Sequence, residues 1–235
     1  MKKRTYVLLG AVLIGVILSS WYWFVYRTGS DDKKDGQNQD TQISFSVEDP
    51  FRHVVIPENL DEATRARMEE TLTLTKKAFE EDGPGDWQTW IAIGNMYSMF
   101  GDYHRAILSF KKSHEVHPNI LGQRNIAETY RIELNDYEQA ALFYPRALDE
   151  SPGDVGIYIT FARMLQKQLN NPNEAEEVLS NGLKRIPKHP DLLIALINFY
   201  QDTNNETSYK EAVRILLEAY PDEKLYQETW GSALK

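Results

Sequence analysis

Three prolines, Pro118, Pro152 and Pro187, stand 34 and 35 residues apart, and each closes a stretch whose apolar residues recur at helical spacing. A period of that length means one supersecondary unit repeated, which restricts the chain to stacked architectures. The clearest unit spans 86–119. There Trp90, Ile93, Gly94 and Tyr97 fall at i, i+3, i+4 and i+7, one face of a helix. Gly101-Asp102 breaks that helix, Ala106, Ile107 and Phe110 restart the spacing, and Pro118 ends it. The unit is therefore two short helices back to back. Gly94 and Ala106 are small where those helices must cross closely.

The pattern returns downstream. A second copy, about 120–153, carries Ile126-Ala127, Tyr130, Asn135-Asp136-Tyr137, Ala140, Tyr144, Ala147 and Pro152, with one extra residue between Tyr130 and Asn135. A third, about 154–188, keeps Phe161-Ala162, Leu165, Ala175, Leu179, Gly182 and Pro187, again with one extra residue before its turn. Additions of this kind are expected in the turn between the helices, where nothing packs. A fourth, about 189–221, is more degenerate, with Leu196-Ile197, Tyr200, Tyr209, Ala212, Leu216 and Ala219 and an expected longer Asn/Thr-rich turn.

These residues resemble the tetratricopeptide repeat, whose signature runs Trp, Leu-Gly, Tyr, Ala, Phe and Pro over one period. In the first copy those places hold Trp90, Ile93-Gly94, Tyr97, Ala106, Phe110 and Pro118, and Ser113 stands where a second Ala is usual. The resemblance covers about 86–221. It implies an all-α fold, an α-α superhelix (a solenoid of helical hairpins). One subgroup of the family grips acidic chaperone tails with two Asn and three basic residues. Asn95 and Asn125 match the asparagines, but Ile91, Gly156 and Thr160 occupy the basic places, so that clamp is not expected.

The ends read differently. Thr5 to Tyr26 carry no charge, long enough as a helix to cross a bilayer, with Lys2, Lys3 and Arg4 before them and Trp21, Tyr22, Trp23 and Tyr26 at the far end. Residues 1–27 are expected to be a single N-terminal transmembrane helix with its basic end in the cytoplasm. A cleaved signal peptide is the competing reading, and the apolar run past Ser19-Ser20 opposes it. Residues 28–57 are polar and aperiodic, a flexible linker, although Ile43, Phe45 and Val47 alternate as a short docking segment would. The repeat domain, 58–235, then begins with a capping helix at 58–82 packed on Trp87 and Trp90. It closes with a second cap at 222–235 that presents Leu225, Thr229 and Trp230 on one face.

Chemistry is sparse. With no cysteine there is no thiolate metal site, disulfide or cysteine nucleophile. No phosphate-cradling, dinucleotide, zinc-protease or serine-hydrolase motif occurs, and no catalytic, cofactor or metal residue is expected. His114 and His117 read as solvent-facing helix-end residues, adjacent acidic pairs as solvated faces, and the aromatic residues of the repeats as core. Asn205-Glu206-Thr207 fits the N-glycosylation pattern, a short pattern that chance often supplies.

A helical-hairpin array leaves the first helix of each pair to line a groove for a peptide or protein. The expected groove residues are Gln88, Ile91, Asn95, Ser98 and Met99, then Arg124, Glu128 and Arg131, then Arg163, Gln166 and Lys167, then Ile194, Asn198 and Gln201. Arg124, Arg131, Arg163 and Lys167 read foremost as plain helix-surface charges, with a basic patch inviting an acidic peptide as the alternative, and a formal charge of −9 argues against nucleic acid. The expected function is a membrane-anchored, non-enzymatic scaffold with its repeats on the extracytoplasmic side of the plasma (inner) membrane. A permanent subunit of a membrane complex and a cytosol-facing docking receptor are the alternatives.

Overall fold

The structure is a computed structural model and describes residues 46–234. The expected membrane anchor falls outside the described residues, and among those described no helix is long and apolar enough to cross a membrane. All described regular structure is helical. The order is α1 (Glu62–Asp82), α2 (Trp87–Met99), α3 (Tyr103–Val116), α4 (Ile120–Glu128) running into a π-helical turn (Thr129–Glu133), α5 (Tyr137–Glu150), α6 (Val155–Lys167), α7 (Pro172–Arg185), α8 (Pro190–Asp202), α9 (Glu206–Ala219) and α10 (Lys224–Trp230), with a closing 3-10 turn at Gly231–Leu234. The pairs α2/α3, α4/α5, α6/α7 and α8/α9 are the hairpins of the four repeats.

Short polar side chains start these helices. Asp86, Asp102, Asn119, Asp136, Asp154, Asn171 and Asn205 each accept a hydrogen bond from the backbone N–H three residues on. Each such cap is worth about 1 kcal/mol. His189, which precedes α8, makes no side-chain cap.

The turn inside each hairpin is built the same way four times. Gly101, Asn135, Asn170 and Asn204 adopt positive φ, between 49° and 76°, which glycine and asparagine tolerate best. The next residue is the cap of the second helix, and its own N–H donates back to a first-helix carbonyl: Asp102 to Tyr97 (2.9 Å), Asp136 to Tyr130 (2.8 Å), Asn171 to Leu165 (2.8 Å) and Asn205 to Tyr200 (2.9 Å). Two of these loops hold one residue more than the others. In the second repeat the extra residue does not lengthen the turn, contrary to the sequence expectation. It widens the end of the first helix instead, where the Leu134 N–H reaches the Thr129 carbonyl, five residues back, at 3.1 Å. With both ends of the turn pinned, the helix itself takes up the slack.

The fourth repeat corrects the sequence register. Its turn is no longer than that of the first, because Asn205 bonds five residues back as Asp102 does. Counted from the cap, Tyr209, not Ala212, occupies the place of Ala106, Ala140 and Ala175. Pro221 then continues the proline series.

Packing explains the small residues. A Cβ on Gly94 would lie 2.3 Å from the Phe110 ring, and Ala106, Ala140 and Ala175 are fully buried. Ser113 is also fully buried. Its hydroxyl donates to the Trp87 carbonyl at 2.9 Å and accepts from Asn119 Nδ2 at 3.2 Å, so it ties α3 to α2 and to the start of α4. The fourth residue of each first helix fills one recurring slot with different chemistry: Trp90, Gln123, Tyr158 and Leu193, all buried. The Trp90 indole donates to the Pro84 carbonyl at 2.9 Å and the Tyr158 hydroxyl to that of Pro152 at 3.1 Å.

At the N-terminal end, α1 turns Met68, Leu72, Thr75 and Phe79 inward, and Phe79 meets Trp90 edge-on at 5.8 Å. Trp87, expected under the same cap, stacks on His117, with ring centroids 6.1 Å apart. At the C-terminal end Trp230 packs inward as expected, together with Tyr226 and Ala233, whereas Leu225 is 63% exposed and Thr229 is exposed, so those two places of the expected face are not met. The described part of the stretch expected as linker is not free. Pro50 is buried, its carbonyl accepts from the Tyr97 hydroxyl, and Phe51 packs edge-on against Phe79 at 5.7 Å with the Lys76 ammonium over its ring. Residues 50–54 thus form a strap across the first repeat.

The turn geometry gives a direct test. Asn170→Ala should cost about 1 kcal/mol of stability because alanine resists positive φ, whereas Asn170→Gly should leave stability within about 0.5 kcal/mol. Denaturant unfolding monitored by circular dichroism reads both.

Candidate functional site: the shared face of the first helices

The first helices of the four hairpins are α2, α4, α6 and α8. α6 touches α8, and ion pairs run from Lys167 to Asp202 (2.7 Å) and from Arg124 to Asp154 at the start of α6 (3.6 Å). Because the hairpins share one register, residues at equal places in each helix form rows across this face. The second places, Gln88, Leu121, Gly156 and Asp191, are all exposed. The fifth places are half-buried Ile91, Ile159 and Ile194, with exposed Arg124 among them. The ninth places are Asn95, Glu128, Arg163 and Asn198, and the thirteenth are Met99, Ile132, Lys167 and Asp202.

Of the residues expected from sequence to line a groove, Gln88, Ile91, Asn95, Met99, Arg124, Glu128, Arg163, Lys167, Ile194 and Asn198 fall in those rows, and Ser98, Arg131, Gln166 and Gln201 at the twelfth places. Sequence reasoning passes over Leu121, Ile132, Ile159, Asp191 and Asp202. Counting equal places from each helix cap would find them.

The expected basic patch is largely neutralised within the protein. Arg124 has Asp154 and Lys167 has Asp202. Arg131 donates through Nε and Nη2 to Glu128, whose other oxygen accepts from the Tyr144 hydroxyl at 2.9 Å. Burial, with the Glu128 carboxylate beside it, pushes the Tyr144 hydroxyl well above the ordinary tyrosine range. Arg163 is the cation left over: it is exposed and has no acidic partner among the described residues. Glu128 lies three residues from Arg131 in sequence, but the acids that answer Arg124 and Lys167 come from the adjoining turn and another helix, which sequence neighbours do not reveal.

Among the described residues no group of three His, Asp or Glu side chains could hold a metal ion. Of the two histidines read as solvent-facing, His117 is exposed as expected and lies against Trp87, whereas His114 is half-buried and its Nδ1 accepts from the Asn119 N–H at 3.2 Å.

Comparisons with known proteins agree with this architecture. Residues 131–192 match the family model of the tetratricopeptide repeat. No curated protein matches the chain. Among solved structures, one crystal structure of MamA superimposes with a TM-score of 0.51 at 15% identity over 74% of this chain and 99% of that one. A second MamA structure gives 0.50 at 16% identity over 73% and 88%. The crystal structure of YrrB, described as a TPR protein with an unusual peptide-binding site, gives 0.48 at 19% identity over 72% and 86%. The likeness concerns the fold. The described chain is an all-α superhelix of the tetratricopeptide-repeat type.

The strap is the other structural feature near a first helix. It joins the α2–α3 turn in lining a cleft of about 480 Å³, with His53, Val54 and Val55 on one side and Phe100, Asp102 and Arg105 on the other. Burial pushes the Tyr97 hydroxyl that latches it up to about 12, from an ordinary value of 10.0. The folded state therefore favours the neutral phenol, and this contribution is complete below about pH 10 and lost as pH rises toward 12. Tyr97→Phe should lose about 1 kcal/mol with the hydrogen bond. It should speed tryptic cleavage after Arg52 and flatten the loss of stability between about pH 10 and 12. Limited proteolysis and thermal melts across that range measure both effects.

Proposed function

We propose that this chain is a membrane-tethered scaffold whose shared first-helix face binds a protein or peptide partner on the extracytoplasmic side of the plasma membrane. The observation that carries the binding reading is the face itself. Four first helices can be aligned place by place, and their second, ninth and thirteenth residues are mostly exposed and chemically varied, while the third, fourth, seventh, eighth and tenth places are buried. Stacked repeats of this kind present an extended surface that suits a segment of another protein better than a small molecule.

The tethering reading rests on sequence. The uncharged run from Thr5 to Tyr26 comes after Lys2, Lys3 and Arg4, a charge bias that keeps the N-terminus in the cytoplasm and exports the rest of the chain. In that arrangement the scaffold serves assembly, translocation or chaperoning at the membrane. Its groove carries fewer free cations than its sequence promises, so apolar contacts contribute a larger share of binding than charge.

Sidedness is tested by adding protease to intact cells or spheroplasts. Cleavage of the repeat domain from outside is the expected result. Protection until the membrane is breached would place the domain in the cytoplasm and favour a docking receptor.

A further inference from the structure

We propose that the shared face selects a two-part segment of its partner: a large apolar side chain seated on Met99 and Ile132, and an Asp or Glu side chain, about three residues away, held by Arg163. This rests on the reading of that face as a partner-binding surface and names what the partner must present.

The apolar seat comes from one row. At the thirteenth place the first two repeats expose Met99 (49%) and Ile132 (53%), whereas the same place in the last two repeats holds Lys167 and Asp202, paired at 2.7 Å. Single exposed apolar residues are common on any protein. Two at one register of successive first helices, followed by a self-neutralised pair, divide the row into an apolar half and a polar half.

Ile132 owes its position to the π-helical turn Thr129–Glu133, where the extra residue of the second repeat is absorbed. Such widened turns recur at functional sites because they re-aim side chains. This one is not a frayed end. Arg131 within it is fixed by two hydrogen bonds to Glu128, which Tyr144 holds from the partner helix α5, and Tyr130 within it stacks on Phe143 at 5.7 Å. The turn presents Ile132 from a rigid base, so seating a partner there costs little ordering.

Arg163 supplies the second half. Arg124, Arg131 and Lys167 on the same face all have acidic partners, and Arg163 has none among the described residues. A guanidinium in that state is matched by a carboxylate, which it can engage through two parallel hydrogen bonds. At an exposed site the pair contributes orientation and selectivity more than affinity. Neighbouring packed helices lie about 8–10 Å apart, and an extended peptide advances about 3.3 Å per residue. A segment crossing from the second repeat to the third therefore places its acid roughly three residues from its apolar anchor, in either chain direction.

The test is selection of a displayed random dodecamer library on the full-length protein in mild detergent. The enriched peptides are then made synthetically and their binding is measured by fluorescence anisotropy. Enriched sequences should pair a large apolar residue with an acid about three positions away. Ile132→Glu and Arg163→Glu should each weaken binding tenfold or more with thermal melts unchanged, Arg163→Glu should recover a peptide whose acid is replaced by Lys, and Glu177→Lys on α7 should change binding less than twofold. If peptides bind and Asn198→Arg abolishes binding while Ile132→Glu and Arg163→Glu do not weaken it, the two-part site is wrong and the binding face stands. If no peptide is enriched, or no substitution on the face affects binding, both readings fall.

Discussion

One hydrogen bond, made four times, sets the geometry on which the rest depends: the N–H of the residue capping each second helix donates to a carbonyl in the last turn of the first. A residue at positive φ just before the cap makes the reversal sharp enough for that bond to form. Once the turn is closed, the small residues at the helix crossing can meet their partners, Gly94 against Phe110 being the tightest case. The closed turn also fixes the register of each first helix relative to the next. A face built of equal places exists only because that register is held through all four hairpins.

Much of this is legible in the sequence because the constraint has a cheap signature. Gly101-Asp102, Asn135-Asp136, Asn170-Asn171 and Asn204-Asn205 are pairs of turn-forming and capping residues, and the prolines mark the other end of each hairpin. The fourth copy misleads because Ala212 offers a small residue near the expected crossing, while the true place holds Tyr209, which remains half-buried near the end of the array. The slot of Trp90 is hard to follow since it demands bulk and burial rather than a residue type. Gln123 fills it with its side-chain carbonyl unbonded. At the C-terminal cap Tyr226, not Leu225, packs inward, in a helix too short to show a period.

The first-helix face is legible in place but not in charge. Position in each first helix derives from periodicity, so residues such as Asn95, Arg163 and Asn198 can be assigned to it from spacing. Whether a cation there is free depends on acids from another helix or the adjoining turn, as Asp154 is for Arg124 and Asp202 for Lys167. The strap is invisible for a related reason. Its hold on the first repeat rests on a backbone carbonyl at Pro50 and one ring at Phe51, neither of which a composition rich in Gly, Asp and Gln advertises.

Native-state hydrogen exchange at four amides, those of Asp102, Asp136, Asn171 and Asn205, tests the central claim most directly. These lie in what would otherwise be loops, and each is the donor of the turn bond. The account predicts protection comparable to amides in the middle of α2 and α6, lost only when the whole hairpin opens. Exchange at the rate of solvent-exposed loops, with the flanking helices still protected, would contradict it, since the turns would then be consequences of helix packing and not what sets it.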